Sequence, residues 1–403
     1  MDDLELARRH APIVYFDAAE PFLPELVGYR VLRRSGPSPS FDRYLTLDVP
    51  EVGRAAAVVE YALWTDWDIQ HLYELEHVWS YVDEQGKLLF AEASWHGRLG
   101  ALIQDGRLSQ EGERPLAYAQ PGKHAMAPTP EVFSRFDLLR SGFARACGPE
   151  AGNDGMLVTP VMHRRLEKSA RADGLANAWL RQRAFVPTWR FERRWEATDV
   201  PWHPIGELLD KIPRRLADLL AGLEAERARH PLWAVLFDLG DTLMVEETEE
   251  KDETATTQRA ELFSGAADAL WRLRREGYLL GLVADTRPGT YRNVLRQHGL
   301  DRVFDVFAIS EELGCEKPDR RMFDHVMTAF GLRPEEAGRV AMVGNNLSRD
   351  VCGANRCGMA SIWLRHNTRY PLEPAHPSER PRFSAAGFDE LGHVLERLGR
   401  VVP

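Results

Sequence analysis

The sequence predicts a molecule in two parts: an α/β domain with a doubly wound parallel sheet, preceded by a β-rich α+β domain. Three observations predict this. After Pro231, short apolar runs alternate with helical segments. Before about Trp202, short β-rich runs are separated by Gly, Pro, Asp and Ser. An amphipathic helical stretch lies between them. The predicted divisions are a β-rich domain over 1–203, a linker helix over 204–230 and the α/β domain over 231–403.

Composition narrows the function classes. The chain has 403 residues, of which 44% are hydrophobic and 28% charged, enough for two or three domains with their own cores. A net charge of −10 argues against nucleic acid and anionic membranes as partners. No apolar run approaches a membrane span and the N-terminus lacks a signal-peptide core, so we expect a cytoplasmic protein. The 4 cysteines form no CxxC pair and are expected to pack as small apolar residues.

In the first half, β-rich apolar runs are the main signal, and their punctuation is typical of antiparallel strands in a sandwich. The predicted strands are 13–16, 55–64, 77–82, 88–93 and 116–120. Helical additions are expected over 130–142 and 159–182. The linker stretch 205–229 carries leucines and isoleucines at helical spacing, which predicts one amphipathic helix with an apolar face.

In the second half, strands and helices alternate. The predicted order is strand 232–238, helix 260–276, strand 278–284, helix 288–298, strand 306–309, helix 318–330, strand 339–343, helix 349–357 and strand 360–364. This alternation predicts a parallel sheet with helices on both faces. Only a short acidic segment, 246–257, separates the first strand from the first helix, so no domain-sized insertion covers this edge of the sheet.

Asp238 is the first candidate functional residue. An apolar strand carries it to its end, and Gly240 gives the backbone room to turn. In parallel sheets the chemistry lies just past the carboxyl ends of the strands. A carboxylate held there without a partner is costly, so we expect a cation or a phosphate beside it. The alternative is an aspartate that caps the following helix.

Four stretches in this half, in this order and spacing, closely resemble the four motifs of the haloacid dehalogenase-like hydrolase superfamily. They are Asp238 to Thr242, Ala284-Asp285-Thr286, Lys317-Pro318-Asp319 and Gly344 to Asp350. The resemblance covers roughly residue 231 to the C-terminus and is specific, because four ordered motifs agree. It implies a Rossmann-like hydrolase of the type without a large cap.

The resemblance also implies a function, namely a magnesium-dependent phosphatase acting on a small phosphorylated substrate. Asp238 would attack phosphorus to form an aspartyl-phosphate, and Lys317 with Mg²⁺ would neutralise the transferred oxygens. The implied catalytic residues are Asp238, Asp241, Thr242 and Lys317. The implied substrate-binding residues are Asp285, Thr286 and Asn346, and the implied magnesium site is Asp238, Gly240, Asn345 and Asp350.

Three positions depart from the family pattern. Gly240 stands where phosphatases of the family carry a second aspartate as general acid and base, and Asp241 beside it points differently. Ala284 replaces a serine or threonine, and Asn345 replaces an acid. General acid–base catalysis contributes about 10²–10⁴-fold, so we expect a preference for good leaving groups, which Gly240→Asp should relax. The alternative is a binding or regulatory protein whose hydrolase-like domain does not turn over.

A polar cluster in the first half carries a second hypothesis. In a strand over 73–82, Glu74 and Glu76 share one face and His77 lies on the other as a core histidine. Together with Ser94 to Gly97, the segment 71–77 faintly resembles the metal-binding core of necrosis-inducing and vacuolar-sorting-like domains. That resemblance implies a second divalent metal at His71, Glu74, Glu76 and His96. The alternatives are a solvated acidic strand here, or an enzyme whose chemistry lies at this metal.

Overall fold

A computed structural model describes residues 2–135, 137–198, 200–366 and 369–400. These form two compact units: unit 1 comprises 1–168 and 183–221, and unit 2 comprises 169–182 and 222–403. Segment 169–182 thus belongs to unit 2, and the division falls within the helix Ile205–Ala228. The three-part division of the sequence stays a prediction. No helix in the described ranges is both long enough and apolar enough to cross a membrane.

Unit 1 is built on two sheets. The larger contains, in spatial order, Arg98–Ala101, Leu88–Trp95, His71–Val82, Ala57–Trp67, Leu26–Leu32 and Trp202–Pro204, with Gly155–Met156 beside His71–Val82. The smaller contains Gln110–Glu111, Arg114–Ala119, Ile13–Phe16 and Arg193–Glu196, with Met126–Ala127 beside Arg114–Ala119. One apolar core joins them, in which Val14 and Ala117 of the smaller sheet cluster with Tyr61 and Val78 of the larger.

The strand-rich first half is confirmed, with differences in detail. Strand Leu26–Leu32 was not predicted, because Gly28 and Arg30 interrupt its apolar run. Not every pair is antiparallel, since Ile13–Phe16 runs parallel to Arg114–Ala119. Short hairpins join Gly36–Pro37 to Tyr44–Leu45, Asp48–Val49 to Gly53–Arg54, and Ile103–Gln104 to Arg107–Leu108.

The helices of the first half differ in extent from the two that were predicted over 130–142 and 159–182. They are Asp3–Arg9, Glu131–Ser134, Asp137–Cys147 and Ala170–Arg181. The expected helix 159–182 starts only at residue 170, because Ser169 adopts an extended conformation and its side chain accepts from the Ala172 N–H at 3.1 Å, a typical N-cap. The linker helix is present as Ile205–Ala228.

Unit 2 contains the predicted parallel sheet. Its strands are β1 (Ala234–Phe237), β2 (Leu279–Ala284), β3 (Val306–Ile309), β4 (Val340–Gly344), β5 (Ala360–Leu364) and β6 (Phe383–Ala385). All neighbouring pairs are parallel, in the order β3-β2-β1-β4-β5-β6. The order reverses at β1, and the crevice at such a reversal is where doubly wound sheets bind ligands. The α/β prediction is therefore confirmed.

Helices cover both faces of this sheet. They are Ala266–Arg275, Pro288–Gln297, Ser310–Leu313, Arg320–Ala329, Cys352–Arg356 and Phe388–Arg400, with 3₁₀ turns at Glu246–Thr248, Pro334–Arg339 and Pro377–Glu379. Separate apolar clusters pack on the two faces, one around Phe237 and Leu270 and the other around Leu236 and Phe323. The single helix predicted over 349–357 is instead a π turn, Leu347–Val351, followed by Cys352–Arg356.

Candidate active site

The carboxyl ends of β1, β2 and β4 bring their following residues to one edge of the sheet, as parallel strands must. Asp238 follows β1, Asp285 follows β2 and Asn345 follows β4. A cavity of about 610 Å³ opens at this edge and is lined by all three, together with Lys317 and Asp350. The four resembling stretches are thus assembled around one cavity.

A buried ammonium group joins the two principal carboxylates. Lys317 Nζ lies 2.5 Å from Asp238 Oδ1 and 2.7 Å from Asp350 Oδ1. The other oxygen of Asp238 accepts from the Thr242 hydroxyl at 2.9 Å. Charge-assisted hydrogen bonds of this length are the strong class. Asp238 is therefore held in one orientation by two donors, with 11% of its side chain exposed toward the cavity.

Burial and charge act in opposite directions at this cluster. Burial favours a neutral lysine, but the charges of Asp238, Asp350 and Asp285 raise the pKa of Lys317 above its usual value. Burial raises the pKa of Asp350, and the negative charge of Asp238 adds to this while Lys317 opposes it. One ammonium therefore serves two carboxylates, and a further cation would relieve the remaining negative charge.

Two features of the loop after β4 place Asp350. A Cβ on Gly344 would overlap the carboxylate of Asp350, so only glycine allows this approach. Asn346 was expected to bind substrate, but its side-chain oxygen caps the following turn, accepting from the N–H groups of Ser348 at 3.0 Å and Arg349 at 3.2 Å. The Asn346 backbone N–H donates to Asp350 Oδ2 at 3.0 Å. Asn346 lines the cavity, but its side-chain oxygen is committed to the backbone.

Asn345 supplies the test of whether a magnesium ion fits. Its Nδ2 is a buried polar atom without a hydrogen-bond partner among the described residues, and its Oδ1 lies 3.4 Å from the Thr242 hydroxyl. Turning the amide by 180° exchanges the two atoms and leaves the carbonyl oxygen available. Carboxylate and amide oxygens are the ligands that Mg²⁺ takes in proteins. The residues present therefore fit a magnesium ion.

Asp285 and Thr286 follow β2, but Asp285 does not offer a group for phosphoryl oxygen. Its Oδ1 accepts from the Lys317 backbone N–H at 2.9 Å, and its Oδ2 pairs with the Arg349 guanidinium at 3.1 Å. The carboxylate thus positions Lys317 and Arg349. Its negative charge would repel a phosphate group, so it is not suited to bind phosphoryl oxygen. Thr286 lines the cavity as expected. Arg349 was missed, although its place beside Asp350 in the fourth stretch was a signal for it.

Asp241 makes contacts with other residues than Asp238 does, although the two were grouped as catalytic residues. It adopts a φ of 50°, its Oδ1 accepts from the Glu246 backbone N–H at 3.0 Å, and its Oδ2 pairs with Arg369 at 3.1 Å. It is not among the described residues that line the cavity. These contacts shape the loop after β1 and hold the segment that carries Glu246.

Glu246 occupies the space beside Gly240. A Cβ placed on Gly240 would overlap Oε1 of Glu246 and lie 3.1 Å from its Cδ. Burial raises the pKa of Glu246, as do the nearby charges of Asp241, Glu249 and Asp238, while Arg369, which pairs with Oε2, opposes the rise. Sequence reasoning missed Glu246 and Arg369, because neither lies in one of the four stretches.

The cavity as a whole is acidic. Its lining contains seven acidic residues and four basic residues within the described ranges. The acidic residues are Asp238, Glu246, Glu249, Asp285, Glu311, Glu316 and Asp350, and the basic ones are Lys251, Arg287, Lys317 and Arg349. A phosphate ester entering it would meet an excess of negative charge, which a bound divalent cation would offset.

The polar cluster of unit 1 also forms, with a different membership. Asp68, His71 and Glu74 offer ligand atoms that all lie within 4.8 Å of one another. However, Lys123 Nζ lies 2.9 Å from Asp68 Oδ1 and 3.2 Å from His71 Nε2. His71 Nδ1 lies 2.8 Å from the Tyr73 carbonyl, so Nδ1 donates and the neutral Nε2 accepts from the lysine. An ammonium group therefore stands among the atoms expected to hold a metal.

Glu76 and His96 do not join that cluster, contrary to expectation. Glu76 is buried against the Ser94 hydroxyl, and burial with the nearby Glu74 charge raises its pKa well above the usual value. His96 lies in the turn after its strand, and its Nε2 contacts Gln120 Oε1 at 2.8 Å. These residues were grouped by the resemblance, which included neither Asp68 nor Lys123, and Tyr73 within the strand has a φ of 55°.

His77 is a hydrogen-bonded core histidine, as predicted. It is 1% exposed, stacks on Trp79, and its Nε2 lies 2.9 Å from the Ser40 hydroxyl. Burial lowers the pKa of His77 to about 3, so the ring is neutral at ordinary pH.

Comparison with known proteins agrees with the geometry of unit 2. The haloacid dehalogenase-like hydrolase family matches residues 175–358. A glyceraldehyde 3-phosphate phosphatase of Pyrococcus furiosus is 34% identical over 34% of this chain and 54% of its own. A phosphoserine phosphatase of Thermus thermophilus is 37% identical over 33% of this chain and 51% of its own. The pyrimidine 5'-nucleotidase YjjG of Escherichia coli is 29% identical over 29% of this chain and 49% of its own.

The C-terminal part of the chain is therefore a haloacid dehalogenase-like hydrolase domain, and its relatives include enzymes named as phosphatases. The chain spans about half the length of the curated relatives it matches. The resemblance of unit 1 to necrosis-inducing and vacuolar-sorting-like domains stays a prediction.

Proposed function

We propose that unit 2 is a magnesium-dependent phosphatase that hydrolyses small phosphate monoesters through an aspartyl-phosphate at Asp238. The observation that carries the proposal is the arrangement of Asp238, Lys317 and Asp350 at the strand ends, in a cavity large enough for a small ester. The family match and the phosphatases among the relatives support it. Their named substrates differ, so the class of substrate proposed is a phosphate monoester and not one compound.

Asp238 is oriented for attack. Thr242 and Lys317 each hold one of its oxygens, so the carboxylate enters the reaction without reorganising. Its oxygen forms the new bond to phosphorus while the bond from phosphorus to the leaving oxygen breaks. The Lys317 ammonium, fixed by Asp350, stabilises the negative charge on the transferred phosphoryl oxygens. Water then attacks the aspartyl-phosphate, which releases inorganic phosphate and restores Asp238.

A magnesium ion would be held by the carboxylates of Asp238 and Asp350, the amide oxygen of Asn345 and the only oxygen that Gly240 offers, its backbone carbonyl. When bound, it would supply positive charge for the phosphoryl oxygens. Lys317 and Arg349 supply further positive charges on the wall of the same cavity.

The test is an assay of the purified full chain against aryl, sugar and amino-acid phosphates, with and without Mg²⁺. Hydrolysis that requires Mg²⁺ is the expected result. Tight binding of phosphate or of phosphate esters without release of phosphate would instead favour the alternative, a binding protein without turnover.

A second candidate function is divalent-cation binding in unit 1. One observation favours it: Asp68 Oδ2 is buried and has no hydrogen-bond partner in the described ranges. The ammonium of Lys123 competes for the same position. Metal analysis of the full chain and of His71→Gln tests the proposal, because a stoichiometric metal lost in the variant would favour the cation, and an unchanged metal content would favour Lys123.

A further inference from the structure

The hydrolysis of an unactivated ester needs a proton for its leaving oxygen, and most acids of the cavity are already committed. Asp350 is fixed to Lys317, and Asp285 binds the Lys317 backbone and Arg349. Glu249 accepts from the Thr257 hydroxyl and pairs with Lys251 at 2.7 Å. Glu246 differs from these residues, because no described residue donates a hydrogen bond to its Oε1.

Two contacts fix the position of Glu246. Its backbone N–H donates to Asp241 Oδ1 at 3.0 Å at the start of the 3₁₀ turn Glu246–Thr248, and its Oε2 pairs with Arg369. These contacts leave Oε1 beside Gly240, two residues after Asp238, on the wall of the same cavity. A Cβ at position 240 would overlap Oε1, so the flexible end of Glu246 would have to move aside. Gly240 and Glu246 are therefore a matched pair, in which the glycine leaves room for the carboxylate.

We propose, on the basis of the proposed phosphatase function, that Glu246 is the general acid and base of this site. In the first step the carboxyl proton of Glu246 passes to the leaving oxygen as its bond to phosphorus breaks and Asp238 binds phosphorus. In the second step the Glu246 carboxylate takes a proton from the attacking water as the bond between phosphorus and Asp238 breaks. The two steps together return both residues to their starting states.

This assignment changes the expected substrate class. A site that lacks an acid handles only esters with good leaving groups, whereas a positioned acid extends hydrolysis to alkyl phosphates. It also changes the result expected for Gly240→Asp. The new side chain would displace Glu246 and not fill an empty position, so this variant is not expected to improve the natural protein.

The experiment compares p-nitrophenyl phosphate, which has a good leaving group, with 2-glycerol phosphate, which has a poor one. We expect Glu246→Gln to lower kcat/KM about 10²–10⁴-fold for 2-glycerol phosphate and much less for p-nitrophenyl phosphate. Acid quench of the variant during turnover of p-nitrophenyl phosphate should also trap more covalent phosphoenzyme, because the second step lacks its base. Glu247→Gln, an exposed neighbour on the same turn, is the matched control.

A double variant distinguishes the loss of the acid from damage to the structure of the site. Gly240→Asp combined with Glu246→Ala, which removes the overlapping side chain, places a carboxylate in the vacated space, and we expect it to recover hydrolysis of 2-glycerol phosphate relative to Glu246→Ala alone. Equal losses for both esters without recovery in the double variant would overturn the assignment of Glu246. So would a Glu246→Gln enzyme indistinguishable from Glu247→Gln. Neither result would overturn the proposed phosphatase function. Absence of hydrolysis of either ester by the natural chain would overturn the proposed function and this assignment with it.

Discussion

Each unit contains a largely covered lysine that pairs with an aspartate, and the two clusters differ in their surroundings. In unit 2, Lys317 joins Asp238 and Asp350 at the carboxyl ends of parallel strands, on the wall of a cavity. In unit 1, Lys123 joins Asp68 and His71. Near it, Glu20 accepts from the Gly122 backbone N–H at 2.6 Å, and the Ile69 N–H donates to the Gly122 carbonyl at 2.9 Å.

The comparison shows that a cluster of charges does not by itself identify a site of chemistry. In unit 1 the Lys123–Asp68 pair and the Ile69–Gly122 hydrogen bond join the loop around Gly122 to the turn around Ile69, so these contacts stabilise the fold. The unit 2 cluster leaves a carboxylate oriented toward a cavity with further charged groups around it. The unit 1 lysine should therefore matter for stability, and the unit 2 lysine and its aspartates for turnover.

The largest effect is expected from Asp238→Asn. Loss of the attacking carboxylate should reduce kcat by at least about 10⁴-fold, because removing a nucleophile removes the covalent path. The amide keeps the shape of the side chain, so the melting temperature should change little. Asp324→Asn, an exposed aspartate paired with Arg320, is the control and should retain full activity. Retention of hydrolysis in Asp238→Asn would place the chemistry elsewhere.

Lys123→Met should show most clearly that the two clusters have different roles. It leaves Asp68 buried without its cation, and breaking a buried ion pair in this way costs about 3–5 kcal/mol of unfolding free energy. Denaturant unfolding measures the loss, and kcat/KM of the folded fraction should be unchanged. A stable variant with impaired hydrolysis would contradict the structural role assigned to this lysine.

Asp350→Asn should weaken the response to magnesium. Removal of one carboxylate ligand should raise the Mg²⁺ concentration for half-maximal activity at least as much as loss of an outer partner does, about 10–100-fold. Activity titrated against Mg²⁺ gives this value. An unchanged titration curve would remove Asp350 from the metal site.

The smallest effect concerns His124, whose Nε2 lies 3.2 Å from Glu20 Oε1 in unit 1. Burial favours the neutral ring, but the charge of Glu20 raises the pKa of His124 above its unfolded value of about 6.5. The pair therefore stabilises the fold fully below about pH 6.5, and this contribution is lost as pH rises through the folded pKa.

The measurement is the difference in unfolding free energy between the natural chain and His124→Gln across this pH range. We expect a difference that is larger at low pH and shrinks as pH rises through the folded pKa. A difference that grows with rising pH would mean that the ring is neutral in the folded chain.

Much of unit 2 could be predicted because its signals are local. Each of β1, β2 and β4 is a short apolar run that ends at a polar group, and parallel pairing brings such ends together whatever the loops do. Asp238, Lys317 and Asp350 were therefore placed correctly around one cavity. The side-chain contacts of Asn346 and Asp285 were not predicted, since which group a side-chain oxygen contacts depends on the local turn and not on the order of motifs.

Other contacts had no sequence signal. Glu246 and Arg369 are 123 positions apart and meet through the fold. From the sequence, Gly240 could be interpreted only as the absence of an acid. Nothing in the sequence indicated that the carboxylate of Glu246 lies in the space beside it. In unit 1, the resemblance grouped Glu76 and His96 with His71, but the structure places Asp68 and Glu74 beside His71 instead. Lys123 joined the cluster from a loop 52 positions after His71.

The most direct test of the central claim, that the chemistry lies at Asp238 in unit 2, is to trap the intermediate. The full chain would be acid-quenched during turnover of a phosphate ester with Mg²⁺, digested, and its phosphorylated peptide identified by mass spectrometry. We expect one phosphoryl group on Asp238, absent from Asp238→Asn. A phosphoryl group on another residue, or steady hydrolysis with no phosphoenzyme on rapid quench, would contradict it.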